Sequence, residues 1–323
     1  SSNICLALVD QVSEKYIAFY PPVSDGPDGP AKPTAELYLD PNRTLWCTVN
    51  KSGIDFTALD KPKFETFPFP VKNGEPFVPG SMAQDAAGVF WFGSNYDNLR
   101  KYDPRTPKHW EEIQEKIWRI ANIPLKRLMV ATMSDTSYVW DPLTRHKYYI
   151  KTPENKDITF GNILVTSSDE ILGFPFETNG GVWRITFTNN QYIARRIGSD
   201  FFNFHFTAGF EDRNKQLYLA KDFASLQVYS RQGRNIRLKK TIPFQGETKT
   251  FYEDDQFVWV GGEYGLCRIT KDSLSERRFD EKDGMPNTTV YGILPAGKQE
   301  LWLSTNRGII RLKTDSLIFR QYS

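Results

Sequence analysis

An all-β fold built from a repeated four-stranded antiparallel unit is predicted by three features of the sequence. Short alternating or apolar runs of strand length recur along the chain, with turn residues between them. A large apolar position inside these units returns at residues 46, 91, 130, 174, 218, 259 and 302, with spacings of 45, 39, 44, 44, 41 and 43. Aromatic residues make up 14% of the chain, Gly and Pro number 22 and 20, and no stretch sustains a helical period. Periods in the forties belong to propeller blades, and seven such units leave about 46 residues each. The predicted architecture is therefore one domain, residues 1–323, folded as a seven-bladed β-propeller of four-stranded antiparallel blades. Length alone would allow two domains, but a radial repeat runs past the usual single-domain size.

Residues 1–33 precede the first unit. Residues 16–20, Tyr-Ile-Ala-Phe-Tyr, read as a strand able to close the ring, and 21–33, rich in Pro, Gly and Asp, as a loop after it. The unit centred on Trp46 has runs at 45–48, 53–56 and 63–67, and that on Trp91 at 89–94 and 99–103. Three degenerate units follow, with 128–132 before 138–141, 171–174 before 181–185, and 217–220 before 226–229. The sixth unit has runs at 257–261, 264–269 and 276–279 around Trp259, and the seventh at 289–294, 301–305, 308–312 and 317–322 around Trp302. At period-two positions of a second strand, Trp46, Trp91, Trp259 and Trp302 are expected to fill the layer between neighbouring blades. The helix candidate is 109–120, where Ile113 and Ile117 are four apart.

Charge is balanced, 41 Lys+Arg against 39 Asp+Glu, so nucleic acid is not an expected partner. The basic clusters Arg195-Arg196, 234–240 and Arg277-Arg278 fall in outer strands or turns and read as solvated charges guarding strand edges. No run reaches the roughly 18–20 apolar residues of a membrane span, and the N-terminus lacks a signal pattern. Attachment to a membrane is thus expected only through segments outside this sequence. A chain that begins without Met and stops flush with its last repeat leads us to expect a longer natural protein. Cys5, Cys47 and Cys267 cannot all pair, and Cys47 and Cys267, inside strands beside apolar neighbours, are expected as buried free thiols.

The last two units carry the most specific pattern: Phe-Asp-Glu-Lys-Asp-Gly-Met-Pro-Asn-Thr-Thr-Val-Tyr-Gly-Ile-Leu at 279–294, then Glu-Leu-Trp-Leu-Ser-Thr-Asn-Arg-Gly-Ile-Ile-Arg-Leu at 300–312. This resembles the two-component regulator propeller repeat, strongly in the last unit and well around Trp46, Trp91 and Trp259. It is weaker where Val130, Phe174 and Tyr218 replace the Trp. The resemblance implies the sensor region of a hybrid two-component histidine kinase, on the periplasmic or extracellular side of a bacterial inner membrane. In that family an immunoglobulin-like domain, a membrane helix and the kinase and phosphorelay machinery follow the propellers. It further implies a carbohydrate or glycan breakdown product as ligand; a propeller that is not itself an enzyme, no cofactor, and room for a homodimer of the full-length sensor complete the expectation.

In a propeller, the ligand site is expected at the mouth of the central channel. It is lined by loops joining second to third strands and by loops leading into each innermost strand. The residues expected to bind ligand there are Asn95, Tyr96, Trp118, Asp135, Asn179, Lys221, His205, Glu263, Tyr264, Asn306 and Arg307. They mix acceptors, amides and flat aromatics, the groups that hydrogen-bond hydroxyls while stacking an apolar sugar face. Asn, Asp and Ser also populate turns for backbone reasons alone, which turn geometry does not ask of Tyr96, Tyr264 or Arg307.

Two other readings compete. One is a metal-dependent propeller lyase or hydrolase: residues 86–104 also resemble seven-bladed lyases of the streptogramin-inactivating kind, whose chemistry needs a metal and a positioned base. His109 sits in the helix candidate and His146 in an expected outer strand, leaving His205 as the base candidate; Asp135, Glu177 and Asp222 could supply oxygen ligands for calcium. No paired His at metal spacing, nucleophile elbow or phosphate loop is present. The third reading is an interaction platform that docks another protein on one face of the ring.

Overall fold

The computed structural model describes the strands within residues 6–58, and residues 77–322 except 95, 107–109, 127, 134, 177–179, 199–203 and 233–234. The chain divides into two compact units, Ser1–Pro68 and Phe69–Ser323. In the first, β1 (Leu6–Val9) pairs antiparallel with β2 (Tyr16–Tyr20). There β3 (Thr34–Leu39), β4 (Thr44–Val49) and β5 (Gly53–Ala58) form a three-stranded antiparallel sheet, with the repeat position 46 on its middle strand. The run expected as a further strand at 63–67 lies outside the described residues.

The second unit is a succession of four-stranded antiparallel meanders. The first contains β6 (Ser81–Gln84), β7 (Phe90–Gly93), β8 (Leu99–Tyr102) and β9 (Trp110–Ile113). The second contains β10 (Arg119–Ile123), β11 (Leu128–Thr132), β12 (Ser137–Trp140) and β13 (Lys147–Lys151). The third contains β14 (Asn162–Val165), β15 (Ile171–Phe174), β16 (Val182–Thr188) and β17 (Gln191–Ile197). The fourth contains β18 (Phe206–Glu211), β19 (Leu217–Lys221), β20 (Ser225–Gln232) and β21 (Asn235–Pro243). The fifth contains β22 (Thr248–Glu253), β23 (Phe257–Gly262), β24 (Gly265–Thr270) and β25 (Glu276–Phe279). The sixth contains β26 (Val290–Gly297), β27 (Glu300–Thr305), β28 (Gly308–Lys313) and β29 (Ile318–Tyr322). Positions 91, 130, 174, 218, 259 and 302 all fall on the second strand of their meander, the degenerate copies included.

Each first strand packs beside the next one: β10 on β6, β14 on β10, β18 on β14, β22 on β18 and β26 on β22. The core accordingly sits between sheets. Trp259 points into the cluster shared with Leu303 and Ile310 of the sixth meander, whereas its neighbours Val258 and Val260 point the other way, to Tyr218 and Val228 of the fourth. This is the period-two rule applied to a strand buried on both faces, which is why the second strands read as continuous apolar runs. Trp91 and Trp259 are 1% and 0% exposed, as their spacing predicts, while Trp302 is half-buried. Gly173 on β15 shows how tightly the core is filled, since a Cβ there would stand 2.4 Å from the Phe160 ring of the same meander's leading loop.

Three expectations are corrected. Residues 110–120 do not form a helix: Trp110–Ile113 is β9, paired with β8, and the chain then bends at Gln114 and Trp118 on its way into β10, while His109 lies outside the described residues. The four-residue spacing of Ile113 and Ile117 arises because Ile113 ends β9, Ile117 sits in the connection to β10, and both reach the Trp91 core. His146 lies in the turn before β13, not in an outer strand, with its ring 4.4 Å from that of Tyr148. Pairing is also not purely antiparallel: β13 and β17, the outermost strands of the second and third meanders, pair in parallel through Ile150↔Tyr192 and Lys151↔Ile193. The joint merges the two meanders into one eight-stranded sheet and occupies two strand edges that would otherwise stand open.

Candidate functional site

Antiparallel order puts two families of connections at the same end of the strands: the turns from second to third strand, and the loops from each fourth strand to the next first strand. Hydrogen bonds tie the two families together. The Trp118 N–H donates to the Thr132 carbonyl at 2.8 Å, Gly161 N–H to Phe174 at 2.8 Å, Gly181 N–H to Phe204 at 3.0 Å and Gly246 N–H to Phe223 at 2.7 Å. This is the end on which the expected site residues were placed, and each of those described occupies it.

Three groups form. In the fourth meander the backbones of His205 and Asp222 clasp one another: the Asp222 N–H donates to the His205 carbonyl at 2.9 Å, and the His205 N–H to Asp222 Oδ1 at 3.2 Å. Lys221 Nζ sits 3.4 Å from the centre of the Phe204 ring and 3.8 Å from the Asp222 carboxylate, a cation held between a π face and an anion. Trp118 is half-buried and meets Phe176 edge to face, with ring centroids 5.2 Å apart.

The third group spans the fifth and sixth meanders. Glu263 Oε2 accepts the Glu247 N–H at 3.1 Å, the Glu247 carboxylate pairs with Lys249 Nζ at 2.8 Å, and Lys249 lies 5.3 Å from the Tyr291 ring. The Tyr291 hydroxyl donates to Asn306 Oδ1 at 2.7 Å. Glu263 and Asn306 are thereby connected through a run of polar contacts. Beside them Tyr264 is 68% exposed and closes over Gly246, where φ is +78° and a Cβ would come within 2.5 Å of the Tyr264 ring, so only glycine fits that turn.

Tyr96, 82% exposed, Asp135 and Arg307 extend into solvent from their turns. Asn95 and Asn179 lie outside the described residues, as does Glu177 of the calcium alternative. Among the described residues no group of three or more His, Cys, Asp or Glu is arranged to hold a metal ion. Phe176 and Phe223, which sequence reasoning passed over, stand on this end at 51% and 48% exposure, Phe223 with its ring 5.6 Å from that of His205. The signal was present: a Phe in a second-to-third-strand turn has no sheet layer to fill.

The opposite end carries the turns from first to second and from third to fourth strands. Here an Asp organises the turn ahead of the second strand. Asp85 Oδ1 accepts the Ala87 and Val89 N–H groups at 2.9 and 3.0 Å, while Oδ2 accepts the Trp91 indole N–H at 2.8 Å. Asp254 repeats the arrangement with Gln256, Phe257 and the Trp259 indole at 2.9, 2.7 and 2.7 Å. Asp212 holds the Gln216 N–H at 2.8 Å and the Tyr218 hydroxyl at 3.3 Å, and burial pushes its carboxyl above its ordinary pKa. Two clefts of about 670 and 340 Å³ open on this end, around the turn from β22 to β23.

No protein-family model matches the chain, and no curated protein matches it in sequence. Solved structures do. The chain is similar to the extracellular domain of the hybrid two-component system BT3049 from B. thetaiotaomicron, at 14% identity and a TM-score of 0.68, covering 98% of this chain and 48% of that one. It is similar to the extracellular domain of the one-component system BT4673 from the same organism, at 16% and 0.60, covering 98% and 47%. PorZ, a surface component of the type-IX secretion system of Porphyromonas gingivalis, matches at 11% and 0.59, covering 95% and 55%. The chain spans about half the length of the two extracellular domains. At these identities the likeness is one of fold: an all-β, propeller-like succession of four-stranded antiparallel sheets. No helix among the described residues is long and apolar enough to cross a membrane.

Proposed function

We propose that this chain is the extracytoplasmic ligand-sensing region of a two-component regulator, a seven-bladed propeller that binds a carbohydrate or glycan breakdown product on the end bearing the second-to-third-strand turns. The observation that carries this reading is the row of aromatics on those turns. Tyr96, Phe176, Phe223 and Tyr264 come from four different meanders, yet all are about half exposed or more on one end of the strands. Around them lie acceptors and cations, Glu263, Asn306, Lys221 and Arg307, suited to hydroxyl groups. The two similar extracellular domains of bacterial signalling systems support the sensing role and a periplasmic or extracellular location.

The propeller is not catalytic in this reading, and its output belongs to segments beyond it. Blades whose cores interlock deform little, so ligand acts through a difference in affinity between two arrangements of the propeller against a neighbouring domain or dimer partner. The test is a thermal-shift panel of oligosaccharides, run with calcium and again with chelator. A shift with one glycan class, lost in Tyr96→Ala and Tyr264→Ala, is the expected result; a site that binds only the folded chain stabilises by roughly 2.7 kcal/mol at a hundredfold excess over Kd. A flat panel overturns the sensor reading and favours the same exposed aromatics as a protein-docking surface, and a shift with calcium alone favours the lyase.

A further inference from the structure

On the end opposite those aromatics, the turn from β22 to β23 stands between the two clefts, and Asp255, Gln256 and Phe257 line both. At about 670 and 340 Å³ each falls within the roughly 300–1,000 Å³ of small-molecule pockets. The larger runs between the fifth and sixth meanders, from Tyr252 and Phe257 to the turn at Lys298 and Gln299 and the turn at Asp315. It lies at the end where the first-to-second-strand turns of adjacent sheets come out of the shared core.

What the cleft presents is a set of polar groups not engaged by other protein groups, with Gln256, Lys298 and Gln299 open to solvent. Tyr252 is half-buried, with its ring against the Trp259 core, and burial holds its phenol protonated at still higher pH than usual. Its hydroxyl has no hydrogen-bond partner among the described residues, and neither do the side chains of Gln256, Lys298 and Gln299. Asp254, by contrast, is fully occupied by Trp259 and two turn amides. At the rim Arg213 pairs with Asp255 at 3.0 Å, an open contact in which the carboxylate is 96% exposed.

The charges choose the ligand class. A phosphate in this cleft would meet Asp255 and Asp315, and a divalent cation would meet Arg213 and Lys298. Neither sign dominates, so no field focuses an ion. A phenol hydroxyl, two amides and an ammonium, next to the rings of Tyr252 and Phe257, instead suit a neutral molecule with many hydroxyls and apolar faces. We infer that this cleft is a second binding site, for a neutral oligosaccharide, on the end of the propeller opposite the site proposed above. It does not depend on that site being occupied.

Isothermal titration of the full chain with neutral trisaccharides of glucose, xylose, mannose and galactose, beside a glucuronate-containing trisaccharide, tests it. The variants are Tyr252→Phe, which keeps the ring and its packing, Gln299→Ala at an exposed turn, and Tyr264→Ala on the opposite end. The expected result is binding of at least one neutral sugar that weakens roughly tenfold in Tyr252→Phe and in Gln299→Ala but not in Tyr264→Ala. Binding lost only in Tyr264→Ala would overturn this inference while upholding the site on the other end. Absence of binding by every neutral sugar, or preference for the glucuronate, would overturn it as well.

Discussion

Replacing Asp254 by Ala removes the acceptor of three hydrogen bonds at once, and the consequences differ by donor. The Gln256 N–H is exposed and regains water, whereas the Trp259 indole N–H belongs to a side chain of 0% exposure and is left unpaired in the core. An unsatisfied buried donor costs about 1–3 kcal/mol, and a hydrogen bond to a charged group contributes about 1.5–3 kcal/mol. Together with the part-buried Phe257 N–H, the expected loss is about 3–5 kcal/mol. For a unit of this size that lowers Tm by about 6–20 °C. Asp254→Asn separates charge from geometry: its single carbonyl oxygen can serve the turn amides or the indole, not both, so it recovers less than half the loss. Asp255→Ala, one residue on, is the control and shifts stability by less than about 1 kcal/mol. Urea unfolding followed by tryptophan fluorescence measures all three. If Asp254→Ala unfolded at the same midpoint as Asp255→Ala, the carboxylate would not be what holds the indole, and Asp85 would lose the same role at Trp91.

Three further outcomes follow from the packing and the titrating groups. Gly173→Ala drives a methyl into the Phe160 ring and is expected to cost about 1–3 kcal/mol by urea denaturation, with Gly292→Ala, which meets only the movable Ser304 hydroxyl at 2.9 Å, much milder. The Cys267 thiol is 1% exposed and burial pushes its pKa up to about 12, so mass-spectrometric mapping should find it unalkylated in the native protein and labelled in urea; rapid native labelling would refute its burial. Asp212 has a folded pKa above its unfolded one, so its neutral form is favoured in the fold and stability is lost as pH rises from the ordinary carboxylate range through the raised value. Asp212→Asn cannot ionise, and its urea midpoint relative to the parent should therefore climb across that window; a flat or falling difference would refute the sign.

What the sequence disclosed and what it hid divide along one physical line. Positions 91, 130, 174, 218, 259 and 302 were legible because a strand packed on both faces must be apolar at a fixed register, and each failure of packing costs kilocalories. The degenerate units show how far that constraint reaches: Val130, Phe174 and Tyr218 are chemically unlike, yet all are at most 0% exposed and all sit on second strands. The errors came where the register constraint lapses. Ile113 and Ile117 mimic a helical period because the end of β9 and the connection that follows it deliver both to one core. The β13–β17 pairing has no signature, since parallel edges touch through backbone that any residue supplies. The candidate site is less legible again. Asp85 and Asp254 precede their Trp by six and five residues, a local pattern that was open to reading and was not read. Lys249, Tyr291 and Asn306, which meet in space, come from two meanders and share no spacing at all.

The two ends of the sheets also differ in how they are held, and that difference bears on the proposed sensing role. On the end with the clefts, the turns into β7, β19 and β23 are fastened to the core by Asp85, Asp212 and Asp254, each joined to a buried aromatic of the second strand. On the other end backbone bonds across neighbouring loops do most of the fastening, joined by the Asp222 and Glu263 carboxylates, and the aromatic side chains of Tyr96, Phe223 and Tyr264 take no hydrogen-bonding part in it. Backbone clasps fix where a turn is while leaving its side chain free to be changed without loss of stability. Substitutions at Tyr96 or Tyr264 should therefore move ligand affinity and leave the fold alone, whereas substitutions at the carboxylate-held turns couple stability to any ligand in the adjoining cleft. A ligand that rigidifies the turn from β22 to β23 would then protect the Asp254 variants more than the parent, measurably so in Tm at saturating sugar, and the absence of that extra protection would uncouple the cleft from the core it borders.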